Sequence, residues 1–279
     1  MAAPSASPMP PLRLLPSTCR SGAWQMATDA WLLEQAAPSF RLYSWQRPTL
    51  SLGFHQGKVE AHWSELASAG VIDLVRRPSG GRAVLHAGEI TYGLVWPGAP
   101  LGRKRAYGLA CRWLLEAFAQ LGHPLQPGSQ ASAAQPSNCF ASGTAADLVD
   151  ADGAKRIGSA QLWRRGCLLQ HGSILVEPAD ELWQQVFKAP PPRLARLPLE
   201  GSALQILLIR SALTWLPTAG SGWTEGALSG AELATIGARL GPYTEGLSSG
   251  RAGRAGASPE ASPEASIDRT TWGKARPSG

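Results

Sequence analysis

The sequence predicts an α/β (α+β) protein, because segments with helical and with strand-like patterns follow one another along the chain. Apolar residues recur at helical spacing over residues 23–35 and again over residues 103–121. Three strand-like runs lie close together, at residues 145–149, 155–163 and 167–176. The first two are joined by the Asp-rich turn 150–153, which ends in glycine and is typical of a hairpin. The three runs therefore predict a three-stranded antiparallel unit.

The remaining elements follow from the same patterns. Further helices are predicted at residues 60–69, 179–188, 201–216 and 229–240. Further strands are predicted at residues 40–46, 49–54, 71–76 and 89–96. We expect the first two of these strands to form a pair that is hinged at Pro48.

We expect four regions along the chain. Residues 1–11 form a disordered arm rich in Pro, Ala and Ser, and residues 12–190 form the main folded core. Residues 191–247 form a helical C-terminal appendage. Residues 248–279 repeat Ala-Ser-Pro-Glu and form a disordered, low-complexity tail.

Composition excludes several classes of protein. The 279 residues are 44% hydrophobic, as in globular proteins, yet no run approaches eighteen apolar residues. The N-terminal residues lack the pattern of a secretory signal, so a cytoplasmic location is expected, away from any membrane. Four scattered cysteines predict neither a disulfide framework nor a metal site. The net charge of +6 favours acidic partners, but scattered basic residues without a recognition motif do not predict nucleic-acid binding.

A glycine-containing loop follows the predicted strand 71–76 and is the first candidate site. Its sequence runs Arg76, Arg77, Pro78, Ser79, Gly80, Gly81, Arg82. The glycines allow main-chain N–H groups to approach a ligand, and the arginines can bind a phosphate or carboxylate. The alternative is a hairpin turn with solvated arginines. The loop lacks the Lys-Ser/Thr ending of a P-loop and no helix follows it.

The predicted strand 155–163 is the second candidate site. Gly158, Ser159 and Ala160 are poor strand formers, and glycine within a strand often marks close approach of a ligand. Lys155 is then either a surface residue at a hairpin or a group that stabilises a carbonyl oxygen. His171 is either a hydrogen-bonded structural histidine or a general base, and His86 has the same two interpretations.

Cys139 is the candidate nucleophile. It directly follows the Pro-, Gly- and Ser-rich loop 122–138, and functional residues concentrate on such loops. A thiolate attacks thioesters well once nearby positive charge lowers its pKa. The alternative is a small buried hydrophobic residue, as free cysteines usually are.

Together these segments resemble the lipoate/octanoate branch of the biotin/lipoate protein ligase superfamily. The matching motifs are Arg76 to His86, Lys155 to Gln161 and Leu169 to Ser173, supported by Met26 to Asp29 and Ser51 to Gln56. The resemblance covers roughly residues 20 to 240. It implies a mixed, largely antiparallel sheet flanked by helices, like the catalytic fold of biotin-protein ligases and class II aminoacyl-tRNA synthetases.

The resemblance also implies roles for the matched residues. Lys155 corresponds to a lysine that contacts the acyl carbonyl group, and Cys139 to the nucleophile of octanoyltransferases. The residues implied to bind the acyl group, its carrier or an adenylate are Arg76, Arg77, Ser79, Gly80, Gly81, Arg82, His86, Gly158, Ser159, Ala160, His171 and Gly172. No metal ligand is implied. Ala87 departs from the pattern, because many relatives have Asp after the histidine.

Two activities share these motifs. LipM-like octanoyltransferases move octanoate from octanoyl-acyl carrier protein, through an acyl-cysteine, to a lysine of a lipoyl domain or of glycine-cleavage H protein, and need no cofactor. Lipoate–protein ligases use ATP and Mg²⁺ to make a lipoyl-adenylate. The pair Cys139-Phe140, and Arg82 where many ligases have a third glycine, favour the transferase. A non-enzymatic acyl- or carrier-binding module and biotin transfer are the remaining alternatives.

Overall fold

The structure, a computed structural model, describes residues 9–128, 147–244 and 247. Its helices are α1 (Gly22–Gln35), α2 (Ala61–Ser68), α3 (Arg103–Gln120), α4 (Asp180–Phe187), α5 (Gly201–Trp215) and α6 (Gly230–Gly237). Its strands are β1 (Leu12–Leu14), β2 (Thr18–Arg20), β3 (Ser39–Trp45), β4 (Thr49–Leu52), β5 (Asp73–Arg76), β6 (Val84–His86), β7 (Glu89–Pro97), β8 (Gln126–Pro127), β9 (Asp147–Val149), β10 (Lys155–Arg164), β11 (Cys167–Leu175) and β12 (Trp223–Glu225).

Two sheets organise these strands. The large sheet has the order β12-β1-β3-β7-β11-β10-β9-β8, with β2 also paired to β3, and the small sheet has the order β5-β4-β6. From β3 through β7, β11, β10 and β9 to β8 every pairing is antiparallel, whereas β1 pairs in parallel with both neighbours. The predicted mixed, largely antiparallel sheet flanked by helices is confirmed.

The predicted antiparallel unit is present as β9, β10 and β11. β10 and β11 form a hairpin in which Arg164 pairs with Cys167. The two residues between them, Arg165 and Gly166, have φ angles of 49° and 76°. Positive φ at both positions is what a tight two-residue hairpin turn requires. This turn sets the register that aligns Gly158 with Ser173 and Ala160 with His171.

The predicted pairing of the strands on either side of Pro48 is wrong. β3 lies in the large sheet, where β7 occupies one edge and β1 and β2 the other. β4 lies in the small sheet between β5 and β6. Because both edges of each strand are already hydrogen-bonded to other strands, Pro48 marks a crossing between sheets instead of a hairpin.

The main hydrophobic core lies between the large sheet and helices α3 and α5. Trp113 and Phe118 of α3 are buried in it together with Leu204 and Leu208 of α5. Beyond residue 190 the chain also supplies β12, which pairs with β1 of the large sheet. The helices predicted for this region are present, and the domain boundary at residues 190 and 191 stays a prediction.

No helix within the described ranges combines the length and the apolar character that crossing a membrane requires. The expected cytoplasmic location stays a prediction. The expected tail 248–279, and most of the expected N-terminal arm, lie outside the described residues.

Candidate functional site

A small cleft of about 60 Å³, partly open to solvent, lies between the two sheets. β4, β6 and the loop between β5 and β6, hereafter the glycine loop, form one wall. β7, β10 and β11 form the floor, and α1 with β3 closes one end. The cleft brings together many of the predicted residues, namely Arg77, Gly80, Gly81, His86, Gly158, Ser159, Ala160, His171 and Gly172.

Small side chains on the floor strands leave open space in the cleft. The sheet register places Tyr43, Thr91, Ser173 and Gly158 in one row across four strands. The next row on the same face contains Arg41, Gly93, His171 and Ala160. A Cβ atom on Gly93 would lie 2.8 Å from Oδ1 of Asp29, so a side chain there would have to displace this carboxylate. These rows leave room for a ligand above β10 and β11.

Ser159 and Gly172 alternate away from this face, as neighbours along a strand must. The hydroxyl of Tyr92 donates to Oγ of Ser159 at 2.8 Å on the opposite side of the sheet. A Cβ atom on Gly172 would lie 2.6 Å from both Ser159 Oγ and a ring carbon of Tyr92. The two residues therefore contribute backbone to the cleft, and the Ser159 side chain is bonded outside it.

Asp29, His171 and Ser79 form one hydrogen-bonded chain beside the cleft. Nδ1 of His171 lies 2.8 Å from Oδ2 of Asp29, and its Nε2 lies 2.5 Å from Oγ of Ser79. Arg41 donates to Oδ1 of Asp29 at 2.7 Å, and the hydroxyl of Tyr43 donates to Oδ2 at 3.0 Å. All five residues are buried. The chain connects the glycine loop to the floor of the cleft.

The environment of Asp29 favours its carboxylate form. Burial raises the pKa of this carboxyl group, but the charge of Arg41 and the contacts with His171 outweigh burial and lower the pKa below its ordinary value. The ion pair with Arg41 thus keeps Asp29 ionised, and its carboxylate contacts Nδ1 of His171.

A second hydrogen-bonded chain begins in the wall formed by β4 and β6 and contains Ser51, His86 and Glu89. Oγ of Ser51 lies 2.7 Å from Nε2 of His86, whose Nδ1 lies 2.5 Å from Oε1 of Glu89. The Trp45 ring stacks on His86 with 3.8 Å between ring centroids. Glu89 therefore supplies a carboxylate to His86. The residue directly after His86, where many relatives have Asp, is Ala87 in this chain.

The arginines of the glycine loop bind backbone carbonyl oxygens. Arg77 is buried and donates to Ser51 at 2.9 Å, Gly80 at 2.9 Å and Arg82 at 2.6 Å. Arg76 donates to two carbonyl oxygens of the segment after β4, and Arg82 is exposed. Anion binding by these arginines stays a prediction; the contacts observed hold the loop in shape.

Gly81 is the residue of the loop whose backbone needs glycine, with a φ of 101°. Gly80 does not have a positive φ angle, so the conformational freedom of glycine is used at Gly81 alone in this loop.

Lys155 is not among the residues that line the cleft. Its Nζ atom lies 2.9 Å from Oδ1 of Asp147, and both side chains are buried. Asp147 is the cross-strand neighbour of Gly158, which lines the cleft. Lys155 thus belongs to the floor strand β10, and Asp147 belongs to the neighbouring strand β9. The catalytic role predicted for Lys155 stays a prediction.

The candidate nucleophile Cys139 lies outside the described residues. Cys19, Cys111 and Cys167 are free thiols. Burial raises the pKa of Cys111 to about 12 and that of Cys167 to about 11, so both are protonated at neutral pH and suited to packing. Within residues 9–128 and 147–244, no group of three His, Cys, Asp or Glu side chains is placed to hold a metal ion.

Sequence reasoning assigned no role to Asp29, Ser51 or Glu89, which partner the two histidines. One signal was present for Asp29, because it falls on the buried stripe of α1, three residues after Met26 and four before Leu33. An acidic residue in such a stripe predicts a buried partner. The pairing with His171, 142 positions away, had no local signal.

Comparisons with known proteins identify relatives of this chain. Residues 21–198 match the model of the lipoyl protein ligase A/B catalytic domain family. The octanoyltransferase LipM of Kyrpidia tusciae is 37% identical over 197 residues, covering 65% of this chain and 72% of that protein. The octanoyltransferase LipM of Anoxybacillus flavithermus is 36% identical over 196 residues, covering 64% and 70%.

Solved structures share the fold. A lipoate-protein ligase A bound with ATP superimposes with a TM-score of 0.67 at 20% identity, covering 82% of this chain and 94% of that one. The bi-partite lipoate protein ligase of Thermoplasma acidophilum gives a TM-score of 0.65 at 19% identity, covering 82% and 92%.

Proposed function

Because the chain belongs to the lipoyl protein ligase A/B catalytic domain family, we propose that it is an octanoyltransferase of protein lipoylation. The donor is octanoyl-acyl carrier protein and the acceptor is a lysine of a lipoyl domain or of glycine-cleavage H protein. The observation that carries the proposal is the identity of 36–37% to two octanoyltransferases, each matched over at least 70% of its length.

The chemistry of the cleft supports an aliphatic substrate. His86 and His171 use both ring nitrogens in the two hydrogen-bonded chains. Trp45 donates to Thr91, and Tyr43 donates to Asp29. Since these polar groups bind one another, they present mainly carbon atoms to the cleft. A hydrocarbon chain can fill such a space without leaving polar groups unpaired.

We assign the nucleophile to Cys139. The Cys139 thiol gives up its proton, and the thiolate attacks the carbonyl carbon of the octanoyl thioester. The bond from that carbon to the carrier sulfur breaks, and the carrier sulfur takes up the same proton and leaves as a thiol. The neutral amine of the acceptor lysine then attacks the acyl-cysteine. An amide bond forms, the carbon–sulfur bond breaks, and the amine proton passes to the sulfur of Cys139. The thioester supplies the driving force, so the proposed reaction needs neither ATP nor Mg²⁺.

Lys155 is proposed to polarise the acyl carbonyl group. A positive charge close to the carbonyl oxygen stabilises the negative charge that develops there during both attacks. Its buried ion pair with Asp147 restricts the position of the ammonium group beside Gly158.

The test is the intact mass of the protein after incubation with octanoyl-acyl carrier protein in the absence of ATP. We expect an octanoyl adduct that hydroxylamine removes, on the wild type and on the matched variant Cys19→Ser. Cys139→Ser is expected to lack this hydroxylamine-labile adduct. An equal labile adduct on Cys139→Ser would refute the assignment of the nucleophile. The absence of any adduct, with acyl transfer only when ATP and free acid are supplied, would indicate a ligase.

A further inference from the structure

Ser173 differs from the other polar side chains that line the cleft. It is 3% exposed, and its hydroxyl has no hydrogen-bond partner among the described residues. The other hydroxyl, imidazole, indole and guanidinium groups of the cleft lining are each hydrogen-bonded to protein. Burying a hydroxyl without a partner is costly, typically about 1–3 kcal/mol in proteins. Ser173 is thus ready to bind a polar atom of a ligand.

The sheet places this hydroxyl at the end of the cleft closest to Lys155. Ser173 pairs with Gly158 on β10, and Gly158 pairs with Asp147, the ion-pair partner of Lys155. On its other side Ser173 pairs with Thr91, whose hydroxyl donates to Glu89 at 2.6 Å. The Thr91 hydroxyl also accepts a hydrogen bond from Trp45 at 2.8 Å, and it forms none with Ser173.

We propose that the Ser173 hydroxyl donates a hydrogen bond to the carbonyl oxygen of the bound acyl group. This inference rests on the proposed function, since an octanoyl thioester has one strong hydrogen-bond acceptor in its acyl part, the carbonyl oxygen. The hydrogen bond and the charge of Lys155 act on the same atom. The bond strengthens as negative charge develops on that oxygen, so it stabilises the transition state more than the bound substrate.

The inference also gives the acyl chain a direction. With its carbonyl group at Ser173, the hydrocarbon chain runs across β7 towards β3, where Tyr43 and Met26 close the cleft. Ser173 and Tyr43 lie two strands apart in the same sheet, which is roughly 10 Å at the usual distance between neighbouring strands. The polar end of the substrate thus lies beside the ion pair, and the apolar end lies against α1.

Two unreactive probes test the hydrogen bond directly. The first is octanoyl-pantetheine with its thioester sulfur replaced by CH₂, which keeps the carbonyl group as a ketone. The second is S-octyl-pantetheine, which lacks the carbonyl group. By calorimetry we expect the wild type to bind the ketone about tenfold more tightly than the thioether. In Ser173→Ala the two dissociation constants should become equal, and Ser173→Thr, which keeps a hydroxyl, should restore part of the difference.

Ser39→Ala is the matched control. Ser39 is also buried with an unpartnered hydroxyl in the large sheet, but it does not line the cleft. It should keep the wild-type preference for the ketone. Neither alanine variant should lower the melting temperature, because each removes a buried hydroxyl that has no partner. In transfer assays we expect kcat/KM of Ser173→Ala to fall about 100-fold, mostly in kcat.

The outcomes separate this inference from the proposed function. An unchanged ratio of dissociation constants in a folded Ser173→Ala protein would overturn the inference, even if the wild type transfers octanoate. A wild type that prefers the ketone through Ser173 but shows no transfer without ATP would retain the inference and refute the proposed octanoyltransferase activity.

Discussion

At the scale of single residues, the charge of Asp29 organises the floor of the cleft. The carboxylate contacts Arg41, Tyr43 and His171, so it fixes the orientation of the imidazole that contacts Ser79. His171 cannot be assigned as a free general base in this arrangement, since both ring nitrogens are engaged. Its position favours a role in holding the glycine loop against the sheet.

Asp29→Asn should therefore destabilise the protein. The substitution leaves the guanidinium group of Arg41 buried without its counter-charge, which typically costs about 3–5 kcal/mol. The free energy of unfolding by urea at pH 7 measures this loss. Asp73→Asn is the matched control, because Asp73 pairs with Arg47 at the surface, and an exposed pair contributes less than about 1 kcal/mol.

The effect of Asp29→Asn should depend on pH. The folded state lowers the pKa of Asp29, so its stabilising contribution is complete above the unfolded pKa of about 3.9 and is lost as the pH falls through the lowered folded value. The stability difference between wild type and variant should thus shrink below about pH 3.9. A difference that stays constant down to the lowest pH at which both proteins fold would contradict this explanation.

At the scale of elements, the glycine loop is held against the end of β4 by a backbone contact. A Cβ atom on Gly53 would lie only 1.9 Å from the carbonyl oxygen of Gly81. Arg77 adds hydrogen bonds from within the loop to β4. The loop position therefore depends on a glycine outside the loop, which the sequence pattern of the loop alone does not indicate.

Gly53→Ala is expected to displace the glycine loop and to reduce octanoyl transfer by at least about tenfold, with a loss of about 1–3 kcal/mol in unfolding free energy. Gly57→Ala is the matched control, since a Cβ atom there has no neighbour within 4 Å. Transfer rates and urea unfolding of the two variants give the comparison. Equal activity of both variants would show that the loop adapts without functional cost.

Local sequence patterns predicted the elements well and their long-range partners poorly. The boundaries of α1, α3 and α4 differ from the predicted ones by one residue at each end at most. The antiparallel unit of β9, β10 and β11 was also predicted, because strand-like runs separated by short turns form a local pattern. The assignment of β3 and β4 to different sheets was not, since it depends on which distant strands occupy their edges.

The candidate site was predicted to a similar extent. The glycine loop, the small residues of β10 and His171 line one cleft. The binding roles that the resemblance implies for them stay predictions. The two histidine chains and the unpartnered Ser173 were missed, because each depends on residues brought together only by folding. The predicted roles of Cys139 and Lys155 stay predictions.

At the scale of the whole molecule, the cleft lies where two hydrophobic units meet. One unit packs α3 and α5 on the large sheet, and the other packs the small sheet with α2 and α4. The chains Asp29–His171–Ser79 and Ser51–His86–Glu89 both cross from one unit to the other. The last elements contribute as well, because β12 extends the large sheet at β1, more than 200 positions earlier in the chain.

Octanoyl transfer by this protein is tested most simply by the mass of an apo lipoyl domain after incubation with it. With octanoyl-acyl carrier protein and no ATP, we predict that the domain gains one octanoyl group on its lysine, as a hydroxylamine-stable amide. Cys139→Ser should abolish this gain, and Cys19→Ser should not. Modification only with free octanoate or lipoate together with ATP and Mg²⁺ would refute octanoyl transfer and identify a ligase.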